Sequence, residues 1–264
     1  MQLKISHTTC YSFETPPAYG LQQLRLTPKS TAGQSVLEWT LDLQGAKIQA
    51  IYDDEHGNAS QLVALEPKAT ELLITSKGLI DIADQNGVIG PQIGYAPLWL
   101  FLRNTPLTEL GPQIRKLSST IPENPQVADF HALSERIASL VTYTSGSTAA
   151  TTTAEQAMTL GEGVCQDHAH IFIAAARHAG HPARYVSGYL MMDDRIDQNA
   201  THAWAEVWIG DLGWTGFDVS NGISPDMRYV RLATGLDYSQ ASPISGMTFG
   251  GSGESIDVNV QVQQ

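Results

Sequence analysis

A chain of 264 residues is long enough for one large domain or two modest ones, with ample length for a packed core. Hydrophobic residues make up 42% of it and charged residues 16%, the balance of an ordinary globular protein and not of a disordered or fibrous one. Its formal charge is −12, from 27 acidic against 15 basic residues, which argues against nucleic acid or an anionic membrane surface as the partner.

The first residues, Met1–His7, lack the apolar core of a secretory signal. The longest apolar runs, around 97–102 and 169–176, are too short to span a bilayer. Two cysteines, Cys10 and Cys165, make no disulfide framework and fit a reducing, cytoplasmic compartment. Ile5, His7, Thr9, Tyr11 and Phe13 alternate with Ser6, Thr8, Cys10 and Ser12, which predicts a strand with Cys10 on its more polar face. Further strands are expected over 22–26, 36–43, 47–52, 60–65 and 71–77, separated by turns at Pro16-Pro17, Thr31-Ala32-Gly33, Gln44-Gly45 and His56-Gly57-Asn58. Such short, closely spaced strands predict an all-β sandwich over residues 1–105, read as a packing or recognition module.

The composition changes after Asn104, where prolines and glycines accumulate up to Pro125, and a second domain is expected over 106–264. A helical turn is read at 113–117. Val127, Phe130, Leu133, Ile137, Leu140 and Val141 recur at helical spacing, giving a helix over 125–142 with Pro125 at its first position. Thr152 and Glu155 fit a capping box for a short helix over 155–160. Next comes Gly161-Glu162-Gly163-Val164-Cys165-Gln166-Asp167-His168-Ala169-His170, running on into alanines and aliphatics until Gly180 and Pro182. That reads as a tight loop feeding a buried helix with Cys165 at its first turn, where unpaired N–H groups favour an anion and suit a developing oxyanion. A small buried cysteine that only fills space fits this stretch as well. Strands are expected again over 184–190, 203–209, 214–218, 229–232 and 256–262. Helices followed by a meander of strands make an α+β domain. The Gly250-Gly251-Ser252-Gly253 run precedes a strand and not a helix, so it is read as a loop and not as a phosphate cradle.

A cysteine nucleophile needs a base, and the base needs an orienting group. His202 opens a strand on which His202, Trp204, Glu206 and Trp208 share one face, while Ala203, Ala205, Val207 and Ile209 face inward. Pairing Ile209 with Gly213 across a three-residue loop puts His202 opposite Ser220 and makes Asp218 its diagonal neighbour, within reach of both side chains. Glu206 is read as a solvated carboxylate and His170 as a structural hydrogen-bonder. The tryptophans at 204, 208 and 214 either line a channel or cover a sheet face.

Gly163-Val164-Cys165-Gln166-Asp167, Pro182–Tyr189, His202-Ala203-Trp204 and Gly213-Trp214 with Gly216-Phe217-Asp218 resemble the core of bacterial transglutaminase-like proteins, described as cysteine proteases. Leu24-Arg25-Leu26-Thr27-Pro28 resembles the β-rich domain that precedes that core. The resemblance implies a papain-like fold of helices packed on an antiparallel sheet, and a Cys–His–Asp triad of Cys165, His202 and Asp218. No cofactor and no metal are expected. His168 stands where an aromatic residue is more usual, and Val219-Ser220-Asn221 where Pro-Thr-Asn is common. Gln166 follows the nucleophile, so its N–H can face the oxyanion. With Val164, His168, Tyr189, Trp204, Asp237 and Tyr238 it makes up the expected oxyanion and substrate pocket.

The expected activity is acyl transfer on an amide or peptide bond through a thioester, released to water (protease or amidase) or to an amine (transamidation). Two other classes fit the same residues. One is a metal site built from Cys165, His168, His202 and Asp218. The other is a binding or scaffold protein that keeps the fold without turnover. Oligomeric state has no signature in the sequence.

Overall fold

Alternation dictates the first strand. In the computed structural model, which describes residues 1–264, β1 (Gln2–Ser12) buries Leu3, Ile5, His7, Thr9 and Tyr11 and leaves Cys10 on the more open face. β2 (Tyr19–Thr27), β3 (Gln34–Gln44), β4 (Ala46–Asp53), β5 (Ala59–Leu65) and β6 (Glu71–Ile82) follow. β1, β6 and β3 form one antiparallel sheet and β2, β5 and β4 another. Leu3, Ile5, Leu24, Leu26, Val63, Leu72 and Ile74 fill the space between them. Short β7 (Val88–Gly90) leaves this sandwich for the second half of the chain.

The second half begins with α1 (Pro112–Ser118), α2 (Val127–Leu140), β8 (Thr142–Tyr143), α3 (Ala154–Leu160) and β9 (Glu162–Gly163). α4 (Cys165–His178) is next, followed by β10 (Ala183–Leu190), β11 (Asp197–Gln198), β12 (His202–Ile209), β13 (Gly213–Phe217) and β14 (Tyr229–Gly235). The five-stranded sheet runs β14–β10–β12–β13–β7, and α4 lies across one face. α4 is sealed on nearly all sides because Ala169, Ala174, Ala175 and Ala176 let it approach Ala203, Ala205 and Val207 of β12 closely. At its far end the buried guanidinium of Arg177 donates to the carbonyls of Phe101, Ala183 and Leu236, tying three segments to one helix. No helix is long and apolar enough to cross a membrane. Both cysteines are free.

The last strands of the chain leave the second half. After α5 (Tyr238–Ala241), β15 (Ile244–Phe249) pairs with β2 and β16 (Ser255–Gln263) pairs with β1, so both return to the sandwich. Val260 and Val262 are buried in its core. Apolar alternation identifies β16 as a strand but says nothing of its neighbour; only the open side of β1 offers that face a seat. Two helix starts also differ from the expected ones. Val127 and not Pro125 opens α2, with Gln126 before it. Thr153 and Gln156 form the reciprocal box at α3, because Glu155 instead accepts from the N–H groups of Gln113 and Ile114 at the start of α1.

Gly188 lies where β10 crosses Trp204, and a Cβ there would overlap both that ring and the Val230 carbonyl. Gly188→Ala is therefore expected to destabilise the protein by about 3 kcal/mol, since neither a backbone carbonyl nor a packed indole can yield cheaply. Thermal denaturation reads this directly.

Candidate active site

Cys165 owes its position to the backbone before it. Gly161 ends α3 with φ 74°, a conformation that favours glycine. β9 then pairs in parallel with β8. The Asp167 carboxylate accepts from the Val164 N–H at 2.8 Å and from the Thr148 hydroxyl at 2.7 Å, which locks the loop onto the helix start. The N–H groups of Cys165 and Gln166 stand in the first turn, where an α-helix supplies no acceptor. Cys165 itself is half-buried at the margin of the core.

β12 and β13 bring the other two residues. The ladder pairs Ile209 with Gly213 across Gly210–Leu212, the register expected from the three-residue loop. Extended past the last pair, it makes Asp218 the diagonal neighbour of His202. His202 Nε2 lies 2.6 Å from Asp218 Oδ2. Burial pulls the imidazole down, but hydrogen bonds to Asp218 and Cys165, with their negative charge, outweigh it and raise the pKa to about 10. With Nε2 taken by Asp218, Nδ1 is the ring nitrogen left to face the sulfur. Burial pushes the Asp218 carboxyl up, and His202, Asn221 and Tyr229 together hold it below the usual carboxylate value.

The other expected pocket residues are scattered. His168 is buried, with Nε2 donating to the Val141 carbonyl at 2.9 Å and Nδ1 accepting from the Ser220 hydroxyl at 2.8 Å. Both ring nitrogens are occupied, so it is neither a competing base nor a metal ligand, and the four-ligand set with Cys165, His202 and Asp218 does not assemble. Tyr189 is a correction. It points into the sandwich core, with its hydroxyl 3.0 Å from His7 Nδ1; its alternation along β10 carries it away from α4. Asp237 is buried and caps α5 through Ser239. The Val164 N–H is already bonded to Asp167, and the Gln166 side chain reaches the Ala150 carbonyl. Trp204 is buried between Gly188 and the rings of His202 and Tyr229. Tyr238 is half-buried beside Tyr185, and its N–H donates to His170 Nε2 at 3.1 Å.

Glu206 is a second correction. It is fully buried, 2.6 Å from Arg184 Nε and 2.9 Å from Arg231 Nε, while Arg184 stacks 3.9 Å over the Trp214 ring. The sequence reads Glu206 as a solvated carboxylate, but its face of β12 is covered by 88–101 and the sandwich, which period-2 counting along one strand cannot reveal.

Sequence reasoning also missed three residues. Asn221 Nδ2 and the Tyr229 hydroxyl each donate to Asp218 Oδ2 at 2.7 Å. Tyr143, half exposed, feels burial first and then the charges of Cys165 and Asp218, all of which push its phenol up. Asn221 has a local signal, an amide three residues after the acid; the two tyrosines have none.

Residues 115–219 match the model of the transglutaminase-like superfamily, and residues 3–81 match that of the bacterial transglutaminase-like N-terminal region. An uncharacterized protein of Mycobacterium tuberculosis is 31% identical across 98% of this chain and 91% of its own length. Another from Mycobacterium leprae is 26% identical across 99% and 98%. The crystal structure of a "putative cysteine protease" from Cytophaga hutchinsonii superposes with a TM-score of 0.77 at 20% identity, covering 100% of this chain and 98% of that one. That likeness is one of fold, helices on an antiparallel sheet with a β-rich N-terminal region.

Proposed function

Since the chain belongs to the transglutaminase-like superfamily, we propose that it is a thiol-dependent acyl-transfer enzyme acting on the amide bond of a peptide or small amide. The observation that carries this reading is the 2.6 Å contact of His202 with Asp218, on a ring whose positive charge Cys165, at the start of α4, also favours. Cys165 sulfur, its proton moved to His202 Nδ1, attacks the amide carbon. The N–H groups of Cys165 and Gln166 receive the oxyanion. The C–N bond breaks, and Nδ1 gives its proton to the departing amine, leaving a thioester. Water then attacks the thioester while Nδ1 takes a proton from it. The tetrahedral centre collapses, the C–S bond breaks, the acid leaves, and the sulfur and imidazole are restored. Asp218 holds Nε2–H throughout and supports the positive ring. Water is the acceptor we assign; an amine at the same position gives transamidation through the same steps.

Incubating the protein with peptide and small-amide libraries, trapping the acyl–Cys165 adduct and identifying it by mass spectrometry tests this. An adduct confined to Cys165 supports the reading, and none with any amide donor defeats it. The pH dependence is a second check. The imidazolium donates the proton to the leaving amine, and its pKa is raised to about 10, so kcat/KM should hold through neutrality and fall only as pH rises toward 10. An alkaline limb near 6.5, the value of an unpaired imidazole, contradicts the pairing.

A further inference from the structure

β14 lies at the edge of its sheet, so one side of it presents backbone groups without a strand partner. The sandwich supplies them with side-chain amides. Gln34 Nε2 donates to the Arg231 carbonyl at 2.9 Å, and Gln34 Oε1 accepts the Arg231 N–H at 2.8 Å. The second Nε2 proton goes to the Lys29 carbonyl at 2.9 Å, which fixes the amide's orientation. Three residues on, Asn58 repeats the arrangement with Thr234, at 2.7 Å to its carbonyl and 2.8 Å from its N–H. Two residues before Arg231, on the same side of the strand, Tyr229 donates to Asp218 Oδ2. Gln34 and Tyr229 are 195 positions apart in the sequence, yet two contacts, linked through β14, join the sandwich to the Asp218 carboxylate, and a third joins that carboxylate to His202.

We infer that the N-terminal sandwich is a positioning module for Asp218: Gln34 fixes the start of β14, and Tyr229 on that strand aims and holds the carboxylate. The inference rests on the acyl-transfer reading for its purpose, though its geometry does not. Asp218 is buried, and one oxygen accepts from His202, Asn221 and Tyr229 together, so each donor stabilises the ionised form in a place that disfavours charge. His202 and Tyr229 are the titratable groups in contact with it. Tyr143 and His168 act on it from β8 and α4 through space, and Asp226 and Arg231 stand on the Tyr229 side.

The test follows the 13Cγ resonance of Asp218 in full-length, 13C-aspartate-labelled protein, assigned by its absence in Asp218→Asn. Tyr229→Phe keeps the ring against Trp204 and removes only the donor, and should raise the Asp218 midpoint by about one pH unit. Gln34→Met keeps the volume, strands the Arg231 backbone groups, and should move the midpoint the same way by a smaller amount. An unmoved midpoint in Tyr229→Phe overturns the inference; a moved one there with none in Gln34→Met removes the sandwich from it. Trapping of the acyl–Cys165 adduct is scored separately. A moved midpoint with no adduct leaves the positioning intact and defeats the acyl-transfer reading, whereas an adduct with no shift does the reverse.

Discussion

Cys165→Ala is expected to fold normally but, on the acyl-transfer reading, to turn over amide substrate at least about ten-thousandfold more slowly than the parent protein and to form no acyl adduct. The size follows from the mechanism. Without sulfur there is no covalent route, and what remains is binding plus an oxyanion site facing water. The fold is spared because the residue sits at the margin of the core and the change removes one atom. Asp218→Asn should cost about a thousandfold or more, since an amide at that position can no longer support the imidazolium. Stopped assays with any substrate recovered from adduct trapping give both numbers, with circular dichroism as the control. A Cys165→Ala variant that keeps most of its turnover would remove the thiol from the chemistry.

Glu206→Ala should lower stability by about 3–5 kcal/mol while leaving the Cys165–His202–Asp218 contacts in place. Glu206 is fully buried between Arg184 and Arg231, and Arg184 is itself buried against Trp214 with Gln92 Oε1 at 3.3 Å. Removing the carboxylate leaves a desolvated guanidinium without a counter-ion, which costs more than the pair ever contributed. For a chain of this size the loss corresponds to a melting temperature lower by roughly 10 °C. The sign with pH is also fixed. Burial pushes the Glu206 carboxyl up, and the two arginines more than offset it, so its pKa is lowered. A lowered carboxyl contributes stability above its unfolded value and loses it as pH falls through the folded one. The difference between parent and Glu206→Ala should therefore shrink on acidification below about pH 4. Melting temperatures within 2 °C of each other at neutral pH would show that the network carries little.

Features carried by contiguous residues could be read before any coordinates. Two glycines, a cysteine and an alanine-rich run give a loop and a buried helix because each step is local. The diagonal placement of His202 and Asp218 is also local, a matter of loop length and period 2. Tyr189 failed for the opposite reason. Its position in a matching motif says nothing about which face of β10 meets the sandwich, and it lies on that face with His7. Glu206 failed likewise, its counter-charges being 22 positions before it and 25 after. Asn221 was within reach of sequence reasoning, whereas Tyr229 depends on how an edge strand is seated against another domain.

The seating of β15 and β16 in the sandwich has a consequence for biosynthesis. Residues that complete the first-made part of the molecule are translated after everything in the second. The nascent chain must hold β1 with one flank bare until residues 255–263 clear the ribosome, so the usual vectorial order, front domain first, does not apply. The sandwich closes only when that segment arrives, and a chain cut short before it keeps an open strand edge exposed to aggregation.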